Sequence, residues 1–67
     1  MIEIEYNGQK RELEASTTLL QLLELSGVES RFCAVEVNLE IVPKPEYATY
    51  RIKAGDKIEV VTLVGGG

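Results

Sequence analysis

The sequence contains no histidine and no tryptophan, and it has a single cysteine, Cys33. Without histidine, the chain lacks the side chain that most often acts as a general base at neutral pH. One cysteine excludes a disulfide within the chain, and no Cys/His cluster typical of zinc sites occurs. No apolar run approaches the roughly 18 residues that span a membrane. These absences argue against a conventional active site, a metal-stabilised fold and a transmembrane segment.

Basic residues are also few, since seven lysines and arginines stand against eleven aspartates and glutamates, for a net charge of −4. Nucleic-acid binding requires clustered Lys and Arg to neutralise phosphates, and no such cluster occurs. The acidity favours solubility and attraction to a basic partner. The N-terminus has no basic segment followed by an apolar run, so no signal peptide is indicated. A cytoplasmic protein, monomeric when free, is the expectation.

A chain of 67 residues with 45% hydrophobic and 27% charged residues is typical of one small folded domain. Its first fourteen residues predict a β-hairpin. Ile2, Ile4 and Tyr6 alternate with glutamates, as in a strand with one buried face. The dipeptide Asn7-Gly8 follows, and it favours a two-residue type I′ turn because both positions need positive φ.

The next segment, STTLLQLLELSG, predicts a short helix. Thr18 is a candidate N-cap, and Gln21 stands three residues later, which completes a capping-box pattern. Gly27 is placed to end the helix in a left-handed conformation. Because the helix has only about two turns, it must pack against a sheet to persist. The predicted apolar stripe consists of five leucines: Leu19, Leu20, Leu22, Leu23 and Leu25.

The remaining segments predict the rest of a sheet. Residues 32–37 (FCAVEV) are typical of a strand with Cys33, Val35 and Val37 on one face. Four further elements follow: a turn at 38–40, a short return strand at 41–42, a single helical turn at 46–50 and a last strand at 57–64.

This order predicts an α+β domain in which one helix covers a mixed sheet of four to five strands. The first and last strands are the most apolar, so we expect them side by side in the centre of the sheet. A right-handed crossover then places the helix over one face. This is the β-grasp architecture, which we assign to residues 1–64, with a flexible glycine tail at residues 65–67.

The side chains offer little chemistry. Cys33 has apolar sequence neighbours and no nearby base, so we expect a buried core residue that does not carry sulfur. Carboxylate pairs such as Glu3/Glu5 have strand spacing on a solvent face, which indicates solubility and edge protection. The glycines do not precede a helix, as a phosphate-binding loop would require. No catalytic residue is predicted, and the chain is not expected to be an enzyme.

The terminal carboxylate is the one reactive group that remains. An α-carboxyl has a pKa of about 3.5, so the Gly67 carboxylate is ionised at neutral pH. A glycine terminus presents it without steric hindrance. Together with Gly65 and Gly66 it forms an arm of about 10 Å that fits a narrow channel in another protein. The tail therefore has the properties of a substrate arm.

The chain resembles the ThiS family of sulfur carriers of thiamin biosynthesis, which are small ubiquitin-like proteins of the MoaD/ThiS superfamily. The resemblance rests on VEVNLEIVPKPEY (Val35–Tyr47), AGD (Ala54–Asp56) and the terminal VGGG (Val64–Gly67). Two positions depart from the family pattern: Lys44 replaces an arginine common after the proline, and Leu39 replaces a common turn glycine. Neither departure lies in the tail.

The resemblance implies that the chain is a protein cosubstrate. A ThiF-type adenylyltransferase, using ATP and magnesium, would convert the Gly67 carboxylate into an acyl-adenylate. Sulfur drawn from cysteine through a desulfurase persulfide would displace AMP and leave a thiocarboxylate. A ThiG-type thiazole synthase would then receive this sulfur. The chain itself would bind no cofactor.

A partner has to dock on the folded body, because ordering three glycines costs free energy. Five apolar residues, out of phase with the predicted core positions or next to the tail, form the predicted docking surface: Phe32, Ala34, Val61, Leu63 and Val64. The competing interpretation is a register shift at a bulge, which would make Phe32 or Leu63 a core residue.

Other functions with the same tail remain open. The chain is also compatible with a sulfur carrier for molybdopterin or tRNA thiolation. A protein modifier, in which a lysine amine captures the activated glycine, is a further possibility. The last alternative is a β-grasp binding module whose tail has no chemical role.

Overall fold

The structure, a computed structural model, describes residues 1–62. These residues form five β-strands and one α-helix, with 3₁₀ turns at Ser30–Phe32 and Lys44–Glu46. The elements in chain order are β1 (Ile2–Tyr6), β2 (Gln9–Leu13), α1 (Leu19–Leu25), β3 (Cys33–Val37), β4 (Glu40–Val42) and β5 (Lys57–Thr62).

The strands form one mixed sheet in the order β2-β1-β5-β3-β4. β1 and β5 are parallel, whereas the other neighbouring pairs are antiparallel. The chain crosses from β2 to β3 by way of α1, whose buried leucines pack in the same core as the inner face of the sheet. The β-grasp prediction is confirmed, and so is the central pairing of the first and last strands.

The β1–β2 hairpin has the predicted two-residue turn, because Tyr6 pairs with Gln9. Asn7 and Gly8 adopt φ angles of 48° and 83°, as a type I′ turn requires. Asparagine tolerates this left-handed region better than most residues, and glycine has no Cβ to clash. The hairpin prediction is confirmed.

Helix α1 begins with the predicted capping box. The Thr18 hydroxyl accepts a hydrogen bond from the Gln21 N–H at 3.2 Å, and the Gln21 side chain accepts one from the Thr18 N–H at 2.9 Å. After the helix, Gly27 adopts the predicted left-handed conformation, with φ 74°. Both ends of the helix are therefore fixed by local sequence.

Only part of the predicted leucine stripe is buried. Leu19, Leu22 and Leu23 are in the core and Leu20 packs against it, but Leu25 is 74% exposed. Successive residues turn about 100° around the helix axis, so Leu25 lies roughly 120° from Leu19. The prediction of Leu25 as a core-facing residue is wrong.

The core is made from the inner face of the sheet, α1 and the loop between β4 and β5. Its buried members are Ile4, Tyr6, Leu13, Leu19, Leu22, Leu23, Cys33, Val35, Val37, Val42, Tyr47, Ile52, Ile58 and Val60. The alternation predicted for 33–37 is confirmed.

Phe32 belongs to a 3₁₀ turn and not to β3, so that strand starts one residue later than predicted. The predicted helical turn at 46–50 is present, because the Tyr50 N–H donates to the Glu46 carbonyl at 2.8 Å, and it directly follows the 3₁₀ turn Lys44–Glu46.

Within residues 1–62, no helix has both the length and the apolar character needed to cross a membrane.

Candidate functional site

The predicted reactive group lies beyond the end of β5. The carboxylate of Gly67, the arm of Gly65 and Gly66, and the predicted docking residues Leu63 and Val64 all lie outside the described residues. The structure describes the folded domain that precedes this segment. Its last described residue is Thr62, at the end of β5 as described.

Strand β5 occupies the centre of the sheet and is held from both sides by asparagine side chains. On the β1 side, the Asn7 backbone N–H donates to the Ile58 carbonyl at 2.8 Å. Its side-chain oxygen accepts from the Val60 N–H at 2.8 Å, and its amide donates to the Val60 carbonyl at 3.3 Å. The Asn7 side chain thus continues the pairing of β5 where the backbone of β1 has already turned away.

The β3–β4 turn holds the other side of β5 in a similar way. The Asn38 side-chain oxygen accepts from the Lys57 N–H at 3.0 Å, and its amide donates to the buried Asp56 carboxylate at 3.0 Å. The second Asp56 oxygen accepts from the Lys53 N–H at 2.8 Å. The start of β5 is therefore fixed by hydrogen bonds from a neighbouring turn.

The outer face of the sheet, which α1 does not cover, carries the central part of the predicted docking surface. Ala34 and Val61 are directly paired between β3 and β5 and are out of phase with the buried Val35 and Val60. Val61 is 58% exposed and Ala34 is half-buried. The β3–β5 register runs without a bulge from Cys33/Thr62 onward. The two side chains form an apolar step one residue before the end of the described chain.

Phe32 is exposed, but it borders a different surface. It lines a groove of about 400 Å³ with Val28 and Thr62, and the Arg31 guanidinium lies 4.9 Å from the centre of its ring. Arg31 also forms an ion pair with Glu29 at 3.2 Å. Because Phe32 precedes β3, its side chain does not follow the alternation that places Ala34 on the outer face. Of the predicted docking residues that the structure describes, Phe32 therefore lies apart from Ala34 and Val61, while the prediction for Leu63 and Val64 stays untested.

Cys33 has no exposed surface and its thiol donates to the Ser30 carbonyl at 3.5 Å. Burial raises the pKa of this thiol, and the Lys44 ammonium only partly opposes the shift. A thiol that is buried and protonated is a poor nucleophile. The prediction that Cys33 is a core residue is confirmed.

Conventional catalytic groupings are absent from the described part of the chain. Residues 1–62 contain no set of three His, Cys, Asp or Glu side chains arranged to hold a metal ion. The geometry of the described residues is that of a rigid platform with an apolar outer step beside the start of the C-terminal segment.

The sequence reasoning missed two features of this platform. The sequence predicts turns at Asn7 and Asn38, but it does not show that their side chains also form hydrogen bonds with β5. The pairing of Glu36 with Glu59 across β3 and β5 was not foreseen either, because it depends on the register between two strands more than twenty residues apart. One sequence signal for these side-chain hydrogen bonds exists. Both positive-φ turn positions hold asparagine, although glycine would fit them, and only asparagine has an amide that can form hydrogen bonds.

Comparison with known proteins places the chain in a family. The ThiS family model matches residues 4–67. A thiazole synthase of Paramagnetospirillum magneticum is 52% identical over 61 residues, which are 91% of this chain but 19% of that protein. The chain thus spans about a fifth of the length of this relative.

Two other similar proteins have nearly the same length as this chain. The sulfur carrier protein ThiS of Thermus thermophilus is 41% identical over 61 residues, covering 91% of this chain and 94% of that protein. The crystal structure of the thiamine biosynthesis protein (ThiS) from Geobacter metallireducens superposes with a TM-score of 0.82 at 25% identity. That match covers 98% of this chain and all of the other.

Proposed function

Because the chain belongs to the ThiS family, we propose that it is a sulfur carrier of thiamin biosynthesis whose C-terminal carboxylate becomes a thiocarboxylate. The observation that carries the proposal is that the family match extends through residue 67 and so includes all three glycines of the tail. The rest of the chain supports the same conclusion, because residues 1–62 offer a docking platform in place of a catalytic site.

The proposed chemistry starts at the Gly67 carboxylate. One carboxylate oxygen attacks the α-phosphorus of ATP in a ThiF-type enzyme, which forms an acyl-adenylate and releases pyrophosphate. This step makes AMP a leaving group on an acyl carbon that was previously a poor acceptor. Magnesium belongs to the activating enzyme and balances the charge on the phosphates.

The second stage exchanges oxygen for sulfur. The terminal sulfur of a protein persulfide, formed from cysteine by a desulfurase, attacks the acyl carbon and expels AMP. A second thiol then attacks the resulting acyl disulfide at the sulfur of the persulfide protein. This forms a new disulfide and leaves the acyl sulfur on Gly67 as a thiocarboxylate. In this scheme the chain contributes its terminus, and its partners supply every other reacting group.

The proposed acceptor of the sulfur is a thiazole synthase. Support comes from the Paramagnetospirillum relative, which bears that name and contains a segment 52% identical to this chain within a protein about five times longer. A carrier joined to its acceptor works at high effective concentration. The present chain would meet the same kind of enzyme by docking through its folded body.

The test is mass spectrometry of the purified protein after incubation with the activating enzyme, ATP, magnesium and a persulfide donor. A gain of about 16 Da, located at Gly67 by fragmentation, is the expected result. High-mass adducts on lysines would instead identify a protein modifier, and an unchanged mass would contradict the sulfur-carrier proposal.

A truncated protein provides the matched control. Deleting Gly66 and Gly67 should leave the thermal unfolding of the domain unchanged, since these residues follow the last strand and have no side chain to bury. The same deletion should abolish ATP–pyrophosphate exchange by the activating enzyme. Exchange at the full-length rate with the truncated protein would place the reactive group elsewhere.

A further inference from the structure

The outer face of the sheet is strongly acidic. It carries five glutamates and two lysines (Glu3, Glu5, Glu12, Glu36, Glu59, Lys10 and Lys57), as the strand registers show. The five negative and two positive charges sum to −3, which is most of the chain's net charge of −4. No element among residues 1–62 covers this face, so its natural complement is a basic surface on another molecule.

Two rows of this face place like charges directly opposite each other. Glu36 pairs with Glu59 between β3 and β5, and Glu3 pairs with Glu12 between β1 and β2. Like charges at directly opposed positions destabilise a sheet. By contrast, Glu5 stands opposite Lys10 in the neighbouring row. Within the part of the chain that the structure describes, no ion pair includes Glu36 or Glu59.

The two glutamate pairs differ in position. Glu12 lies on β2, an edge strand, where charged side chains protect against unwanted strand pairing. Glu36 and Glu59 lie on β3 and β5, which both have neighbours on either side and need no such protection. Edge protection therefore accounts for the first pair but leaves the second unexplained.

The length of the chain beyond β5 limits where a partner can sit. Residues 63–67 reach at most about 18 Å from Thr62, so the active site that receives the terminus must lie within that distance of Thr62. Glu59 is three residues before Thr62, or about 10 Å along the strand. Glu3 lies two residues before Glu5, which is level with Lys57, so it is about 23 Å from Thr62 along the same direction. The Glu36/Glu59 pair is therefore the nearer of the two to the active site that receives the terminus.

The Glu36/Glu59 pair also adjoins the apolar step of Ala34 and Val61, which is the next outward row toward the tail. Exposed Ile41 is directly opposite Glu36 on the other side, so apolar side chains flank the carboxylates. An arginine suits this setting, because its planar guanidinium can donate to two carboxylates while its stem packs on apolar groups.

We infer that the outer face between β3 and β5 docks on a thiazole synthase, with an arginine of that enzyme placed between the Glu36 and Glu59 carboxylates. This inference rests on the proposed function. A thiazole synthase is the expected occupant because the Paramagnetospirillum thiazole synthase contains a segment that is 52% identical to this chain. The arginine removes the repulsion between the two carboxylates, and the apolar step beside it packs against the surface that surrounds the arginine.

The test compares two double variants of the full chain that remove the same charge from the same face. Glu36→Gln/Glu59→Gln alters the proposed docking pair, and Glu3→Gln/Glu12→Gln alters the pair remote from Thr62. Binding to the thiazole synthase of the same organism is measured by calorimetric titration at about 0.02 M and about 0.3 M salt. Thermal unfolding of each variant verifies the fold, and neither should be less stable, because each loses a like-charge contact.

The Glu36/Glu59 variant should bind about tenfold or more weakly than wild type at low salt, and its affinity should depend less on salt. The Glu3/Glu12 variant should stay within about threefold of wild type. If both variants lose the same affinity, the effect is due to net charge alone. If neither variant loses affinity, the Glu36 and Glu59 carboxylates are not part of the interface. Either of these results overturns the inference about the docking surface but does not affect the proposed sulfur loading, which is tested separately by the 16 Da mass gain. A wild-type chain that neither binds the synthase nor gains 16 Da overturns the proposed function as well.

Discussion

Cys33 illustrates how far the fold controls the chemistry of a single residue. Its side chain has no exposed surface, and burial, only partly opposed by Lys44, raises the pKa of the thiol. The folded protein therefore holds this proton more tightly than the unfolded chain does. Above the ordinary thiol pKa of about 8.5, the folded state binds more protons than the unfolded state, so the free energy of unfolding falls as pH rises.

This linkage predicts how a Cys33→Ala variant behaves. At pH 7 the variant should be less stable than wild type by about 1 kcal/mol, because a buried side chain has been shortened. Near pH 10 the difference should shrink, because only the wild type loses stability by ionising the thiol in the unfolded state. Urea unfolding at both pH values measures the two differences. A difference that stays constant, or grows, between these pH values would contradict the assigned pKa direction.

The same variant tests the chemical role of the residue. Cys33→Ala should gain the 16 Da of the thiocarboxylate as fully as wild type, because the proposed reacting carbon is at the terminus and not at the buried thiol. Loss of sulfur loading in a folded variant would show that Cys33 takes part in the transfer.

At the scale of elements, the two hairpin turns do more than reverse the chain. Asn7 and Asn38 both adopt positive φ, at 48° and 53°, and both direct side-chain hydrogen bonds to β5 or to the buried Asp56 beside it. Glycine could adopt the same backbone angles but would supply no such bonds. The pairing of β5 thus depends on side chains from both of its neighbours.

We expect Asn7→Gly and Asn38→Gly each to lower the free energy of unfolding by about 1–2 kcal/mol, since each removes two hydrogen bonds and keeps the turn geometry. Leu39→Gly is the matched control: Leu39 has φ 71°, is 89% exposed and makes no side-chain hydrogen bond. That variant should be as stable as wild type or more so, because it relieves backbone strain. Chemical denaturation of the three proteins measures these differences. Equal behaviour of all three would assign the effect to the turn backbone alone.

The elements also show where sequence reasoning succeeded and where it could not. The Asn7-Gly8 turn and the Thr18 capping box were predicted correctly because their hydrogen bonds form between residues close in sequence. The exposure of Leu25 and the start of β3 after Phe32 were not predicted, because both depend on how α1 and the Ser30–Phe32 turn lie on the sheet. That Glu36 stands directly opposite Glu59 could not be predicted either, because it depends on the register between β3 and β5.

At the scale of the whole molecule, the two faces of the sheet have separate tasks. The inner face and α1 hold the core, whereas the outer face leaves Ala34 and Val61 available beside the end of β5. The tail residues predicted to react lie outside the described residues, so their role stays a prediction. Sequence reasoning correctly identified Ala34 and Val61 as outward positions, since strand alternation determines them once the strands are recognised.

Val61→Asp tests the docking role of this outer face. Because Val61 is already 58% exposed, an aspartate should leave the domain folded. It should weaken binding to the activating enzyme by about 2 kcal/mol or more, on the scale of interface hot spots. Leu39→Asp, which also places a charge at an exposed apolar position but at the opposite end of β3, should bind like wild type. Calorimetric titration with the activating enzyme measures the affinity of both folded variants. A wild-type affinity for Val61→Asp would show that Val61 is not part of the interface.

The complete burial of Cys33 also means that a thiol-specific reagent could label a C-terminal thiocarboxylate without labelling Cys33 in the folded protein. It is the only cysteine of the chain, so an alkylating reagent meets no accessible thiol on the folded, unloaded carrier. A thiocarboxylate at Gly67 would add one soft nucleophile, and the same reagent would then modify the terminus alone. Native alkylation followed by mass counting would thus report the fraction of loaded molecules directly, and alkylation after unfolding would add one further label from Cys33 as an internal standard.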